Sequence, residues 1–221
     1  MNVDHVIMGV SDPHDAARRL RESHGLGAIS GGGHPGGTGN WLVPLDPPQY
    51  LELLYVADRN AADAELLAMD LSVHPLLGWA LRTDDIEGVG RRLELVPRPG
   101  SVTGPDGSLL ASWRTVADED GSNGDLPFFI QYDDPDNRRP AWWAAKRREA
   151  GHDVEVGGFA WVEVGAEEAT MRRWIGDMDD CVRCITGAVG LRRLAISTAA
   201  GDVILGSPSD PPNDATARPH R

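Results

Sequence analysis

Two apolar runs near the start of the chain each carry one side chain that can bind a metal or move a proton. The first, Val3-Asp4-His5-Val6-Ile7-Met8-Gly9-Val10, holds His5; the second, Tyr50-Leu51-Glu52-Leu53-Leu54-Tyr55-Val56, holds Glu52. Both runs are short and rich in β-branched or aromatic residues, so both read as strands. A carboxylate in such a strand is rarely there for packing, because a buried charge is costly unless it is paired, protonated or metal-bound. Imidazole plus carboxylate is a common beginning of a divalent-metal site, and it is equally an acid–base pair. The plainer reading is a histidine in a half-buried strand, hydrogen-bonded to whatever faces it.

Three other groups can do chemistry. The run Gly31-Gly32-Gly33-His34-Pro35-Gly36-Gly37-Thr38-Gly39-Asn40 is too glycine-rich for regular structure. It can cradle an anionic or carbonyl group with backbone N–H groups and with the side chains of His34, Thr38 and Asn40. No Gly-Lys-Ser/Thr follows it, so it is not a P-loop. Seven tryptophans stand beside three tyrosines and three phenylalanines, and Trp41, Trp79, Trp113 and Trp161 fall in expected strands. Trp41, Trp79 and Trp113 are candidates to stack on an organic ligand, although such residues are more often core. The only cysteines, Cys181 and Cys184, form a single Cys-x-x-Cys with no second pair and no histidine to complete a zinc site, and read as ordinary thiols in a loop or helix.

The elements that must position these groups are legible in order. Asp12 caps a helix with Pro13 in its first turn, Ala16, Ala17 and Leu20 give it a narrow apolar stripe, and Gly25 stops it. A short strand around Leu26 to Ile29 is possible. The glycine loop, a strand from Trp41 to Leu45, a turn at Asp46-Pro47-Pro48 and the Glu52 strand follow, giving βαβββ.

The Asp4-His5-Val6 opening, the Asp12-Pro13 helix start, the His34-to-Asn40 loop and the Tyr50-Leu51-Glu52-Leu53 strand, in this order, resemble the glyoxalase-like branch of the vicinal oxygen chelate superfamily. The resemblance implies an α+β fold of paired βαβββ modules forming a cupped, mostly antiparallel sheet with helices on its outer face. It implies ligands on first and fourth strands, the positions of His5 and Glu52, around one divalent ion such as zinc, manganese, iron or nickel.

The expected organisation is a first module over 1–56, a connecting helix over 57–76, a second module over 77–133, a linker with one helical turn over 134–155, a third, shorter βαββ module over 156–206 and a disordered tail over 207–221. The repeat is carried by Asp85 and Leu93, spaced as Asp12 and Leu20 are. The overlay places Gly78 on His5 and Gln131 near Glu52, so Gln131 is the expected third metal ligand, with His34 as the other candidate. If neither serves, Glu52 acts alone as a base.

In this reading the metal chelates vicinal oxygens and stabilises an enolate while a carboxylate shuttles a proton. That favours lyase or isomerase chemistry by Glu52 and His5 on a small oxygenated organic substrate. An extradiol dioxygenase would need a second histidine where Gly78 stands. The alternative is a metal-free binding or resistance protein that takes an aromatic or cationic small molecule, such members usually pairing as homodimers. The net charge of −13 argues against nucleic acid or an anionic membrane as partner. No run approaches a membrane span and no signal peptide precedes the first strand, so a cytoplasmic protein is expected.

Overall fold

The computed structural model describes residues 2–73, 75–118, 126–133, 140–176 and 181–206. The first unit is β1 (Asn2–Gly9), α1 (Pro13–His24), β2 (Ile29–Gly33), β3 (Thr38–Pro44) and β4 (Tyr50–Val56). Asp12 accepts hydrogen bonds from the N–H groups of His14 and Asp15 at the start of α1, and Gly25 ends it in the left-handed region at φ 69°. That conformation suits a residue without a Cβ. The glycine-rich stretch is more ordered than expected. It contains most of β2 and the start of β3, which pair antiparallel across a turn at His34–Gly37. Its glycines permit close approaches, since a Cβ on Gly32 would lie 2.4 Å from the Thr103 carbonyl oxygen.

The connection 57–76 is less helical than expected: α2 (Ala64–Ala68) has five residues, and a single 3-10 turn follows at Leu71–Val73. The second unit is β5 (Leu76–Arg82), α3 (Ile86–Leu93), β6 (Arg98–Thr103), β7 (Leu109–Val116) and β8 (Phe128–Tyr132). Asp85 caps α3 as Asp12 caps α1, accepting from the Gly88 N–H. Both units have one strand order, with first and fourth strands parallel. β1 and β5 join them antiparallel, and the far rims meet at the single pair Gly33 and Thr103. The eight strands therefore close into a ring, β1-β4-β3-β2-β6-β7-β8-β5, a cup whose lips touch.

Where a linker with one helical turn was expected, α4 (Pro140–Ala150) runs for eleven residues. The third unit is β9 (Val156–Gly165), α5 (Glu168–Ile175), β10 (Val182–Ile185), β11 (Gly190–Thr198) and β12 (Val203–Gly206), in the order β10-β9-β11-β12. It has one strand more than expected, and Cys184 lies in that strand, β10, rather than in a loop or helix. Its order also differs from the first two units, because β9 and β10 are parallel and joined through α5. The tail 207–221, expected to be disordered, lies outside the described residues.

Strand alternation divides the barrel wall into two faces. Val6, Met8, Leu51, Leu53, Trp79 and Phe129 point outward and join α1, α3, α5 and the small sheet in one continuous core. Neither sheet can bury its apolar face alone, so the layers cover each other. The inner face holds His5, Ile7, Glu52, Leu54, Ile130 and other residues that border a cavity. No helix among the described residues is long and apolar enough to cross a membrane.

Candidate functional site

The cup encloses a cavity of about 930 Å³, and His5, His34, Asn40, Glu52 and Trp113 all border it. His5 and Glu52 come from the parallel neighbours β1 and β4, where Glu52 sits beside Ile7 and Tyr50 beside His5. His5 Nε2 and Glu52 Oε2 are 3.6 Å apart, and the two residues are 3% and 5% exposed. That gap exceeds a hydrogen bond.

What faces His5 from the other side is Asp4. Its Oδ1 accepts from His5 Nδ1 at 2.7 Å, and its Oδ2 accepts from Arg82 Nε at 2.5 Å. Adjacent residues of a strand normally point to opposite faces, but the β1–β5 register shifts between Val3 and His5. Such a bulge re-aims a side chain and lets Asp4 reach the same network. The Tyr132 hydroxyl donates to Asp4 Oδ1 at 3.2 Å, and the Tyr50 hydroxyl lies 2.8 Å from that of Tyr132. Burial, above all, pushes both tyrosine hydroxyls well above their ordinary pKa. The Tyr50 ring stacks on His5 at 4.6 Å. With Nδ1 engaged by Asp4, the other ring nitrogen, Nε2, faces Glu52.

Glu52 is held in turn by the glycine-rich hairpin. Asn40 Nδ2 donates to Glu52 Oε1 at 3.0 Å, while Asn40 Oδ1 accepts from the Gly32 N–H at 3.0 Å. His34 Nε2 stands 3.9 Å from Glu52 Oε1, and Thr38 Oγ1 lies 2.8 Å from His34 Nδ1. Thr38 thus orients His34 and does not itself border the cavity. The arrangement leaves a carboxylate oxygen and an imidazole nitrogen facing one small gap. A proton taken from a substrate by one can be shared with the other.

Of the remaining candidates, Gln131, Trp79 and Trp41 are placed elsewhere. Gln131 lies on the outer face: its Oε1 accepts from the Ile86 N–H and its Nε2 donates to the Asp84 carbonyl, both at 3.0 Å. The residues of β8 that border the cavity are Phe128, Ile130 and Tyr132. A one-residue difference in register exchanges the two faces of a strand, and this separates Gln131 from Glu52. Trp79 is fully buried in the outer core, and Trp41 packs edge-on against His14 of α1 at 4.6 Å. Trp113 borders the cavity 6.1 Å from both His34 and Tyr132.

The expected metal set of His5, Glu52 and Gln131 is therefore not assembled. Among the described residues no group of three or more His, Cys, Asp or Glu side chains is arranged to hold a metal ion. Burial raises the Cys184 thiol above its usual pKa, as fits an inert side chain. Asp4, Arg82, Tyr50 and Tyr132 were not foreseen as site residues. The argument that singles out Glu52, a carboxylate inside an apolar strand, applies equally to Asp4. Trp142, Trp143 and Lys146 of α4 also border the cavity, and no local signal connects them to it.

A protein-family model for the glyoxalase-like domain matches residues 3–177. The chain belongs to that family, a branch of the vicinal oxygen chelate superfamily. Among solved structures, a hypothetical protein from Staphylococcus aureus is similar in fold, with a TM-score of 0.57, 17% identity, and coverage of 91% of this chain and 83% of that one. Methylmalonyl-CoA epimerases from Streptomyces coelicolor and Mycobacterium tuberculosis are more distant. Their TM-scores are 0.46 and 0.42 and their identities 16% and 18%; they cover 61% and 59% of this chain and 99% and 85% of their own. No curated protein matches the chain significantly.

Proposed function

We propose that this chain is a glyoxalase-like enzyme of the isomerase or lyase type that removes a proton next to a carbonyl group of an oxygenated organic substrate held in the cup. Glu52 is the base and His5 shares the proton. The observation that carries this reading is the 3.6 Å gap between His5 Nε2 and Glu52 Oε2, open to a cavity large enough for an organic molecule. Asp4 keeps the His5 ring oriented with Nε2 toward the gap. Asn40 fixes one oxygen of Glu52 and leaves the other directed at the substrate.

The test is proton exchange. The protein is incubated in deuterium oxide with a panel of α-hydroxy ketones, 2-oxo acids and acyl thioesters, and loss of the α-proton signal is followed by NMR. Exchange that depends on protein and falls by about 100-fold in Glu52→Gln supports the reading, that factor being the usual scale of general base catalysis. Exchange undiminished in Glu52→Gln removes Glu52 from the role. A second reading, a small-molecule binding or resistance protein, is favoured by the aromatic walls of the cavity, where Tyr50 stacks on His5 and Trp143 stacks on Tyr50 at 5.7 Å. It expects tight binding with no exchange.

A further inference from the structure

The cavity extends well beyond the His5–Glu52 gap, and its far wall is α4. Trp142, Trp143 and Lys146 of that helix all border the cavity; spacings of three and four residues put Lys146 on one helix face with both tryptophans. The Tyr50 ring bridges His5 and Trp143 with spacings of 4.6 and 5.7 Å, so α4 stands two aromatic rings away from the base. Beside this stack, Tyr132 meets the Tyr50 hydroxyl at 2.8 Å and packs edge-on against Trp113, which extends the aromatic lining.

α4 is firmly seated. Arg21 donates to the Ala150 carbonyl at 2.6 Å and pairs with Asp153 at 3.0 Å. His152 accepts from the Gly27 N–H and donates to the Pro44 carbonyl. The approach is so close that a Cβ on Gly27 would lie 2.0 Å from the Ala150 carbonyl oxygen.

The charged side chains bordering the cavity differ in what they can offer a ligand. Glu52 is bound by Asn40, and Asp133 faces Arg114 at 3.6 Å. Lys146 alone among the bordering residues is a lysine or arginine. Its partner, Glu149 at 2.9 Å, has a 57% exposed side chain. An exposed pair of that kind is worth little, and an ammonium has three donors to offer. Its charge lies 5.7 Å over the Trp142 ring.

We infer that the site takes an amphipathic organic anion: an aromatic or alkyl body lies against the aromatic lining, its carboxylate reaches Lys146, and its reactive carbonyl end reaches Glu52. This deepens, and rests on, the reading of the cup as a substrate site, and it reverses the cationic ligand that the binding-protein alternative allows.

Three naphthalene probes matched in shape test it: 2-naphthylacetate, 2-(2-naphthyl)ethanol and 2-(2-naphthyl)ethylamine, with binding followed by calorimetry on the wild-type chain and on Lys146→Met and Lys146→Arg. The acid is expected to bind about tenfold or more tighter than the alcohol, the scale of one charge-assisted hydrogen bond. Lys146→Met should bring the acid to the level of the alcohol and leave the alcohol unchanged, which also reports an intact fold. Lys146→Arg should keep the preference. Equal binding of acid and alcohol, a preference for the amine, an acid preference that survives Lys146→Met, or no saturable binding of any probe up to about 1 mM would each overturn the inference. No probe has to lose a proton, so this result and the exchange experiment fail independently.

Discussion

Asp4 is 0% exposed, and its three partners are His5, Arg82 and Tyr132. Arg82→Met removes the strong cation among them while keeping much of the side-chain volume, and so leaves a buried carboxylate without its countercharge. Breaking a buried pair from one side costs about 3–5 kcal/mol, far more than the pair contributes relative to apolar replacements. For a chain of this length that corresponds to a Tm lower by about 10 °C. Asp4→Asn with Arg82→Met removes the orphaned charge together with the pair. The double variant should then be more stable than the sum of the single losses predicts, by about 1–3 kcal/mol. The assay is urea unfolding of the four proteins followed by tryptophan fluorescence, with thermal unfolding as a check. A loss below about 1 kcal/mol in Arg82→Met, or single losses that simply add, would refute the claim that this pair neutralises a charge inside the barrel.

Gly31→Ala should disturb the site from a distance, because a Cβ there would lie 2.0 Å from Asn40 Oδ1. Asn40 must move off Glu52, and proton exchange should fall while the stability loss stays within about 1–3 kcal/mol. Tyr50 and Tyr132, held protonated by burial, stabilise the fold fully below the unfolded pKa of about 10 and lose that contribution as pH rises through their higher folded values. Spectrophotometric titration should therefore show two of the three tyrosines ionising only with alkaline unfolding. His152 is the opposite case. Burial lowers its pKa, so its contribution is present above about pH 6.5 and lost as pH falls below, and His152→Ala should remove that acid-side loss when stability is measured against pH.

Elements whose period and punctuation agree are legible in the chain. Asp12 and Gly25 mark both ends of α1, and Asp85 marks the start of α3. The repeat that these caps reveal carries over to strand order, because the same apolar pattern buries the same face in both units. Residues 31–40 are not legible, since glycine content argues for a loop whereas the glycines serve close packing of β2 against β3 and β6. α4 is illegible for another reason. Its tryptophans and basic residues look like a charged linker until Gly27, Pro44 and Asp46 give them surfaces to dock on.

The site divides along the same line. His5 and Glu52 can be picked from type and position because each interrupts an apolar strand, and an interruption of that kind needs a compensating partner wherever the strand ends up. Which partner supplies it depends on register, and register is set by features with no local signature. The bulge at Asp4 turns one carboxylate inward beside His5. The register of β8 against β5 and β7 turns Gln131 outward, onto the N-terminus of α3. A single-residue shift in either place would move that side chain to the opposite face of its strand. With Gln131 turned inward it would face Glu52, where the family resemblance leads one to expect a third ligand; with Asp4 turned to the core, His5 would lose the carboxylate that orients it. The partners that His5 and Glu52 find in this cup thus depend on strand register as well as on the presence of the two residues.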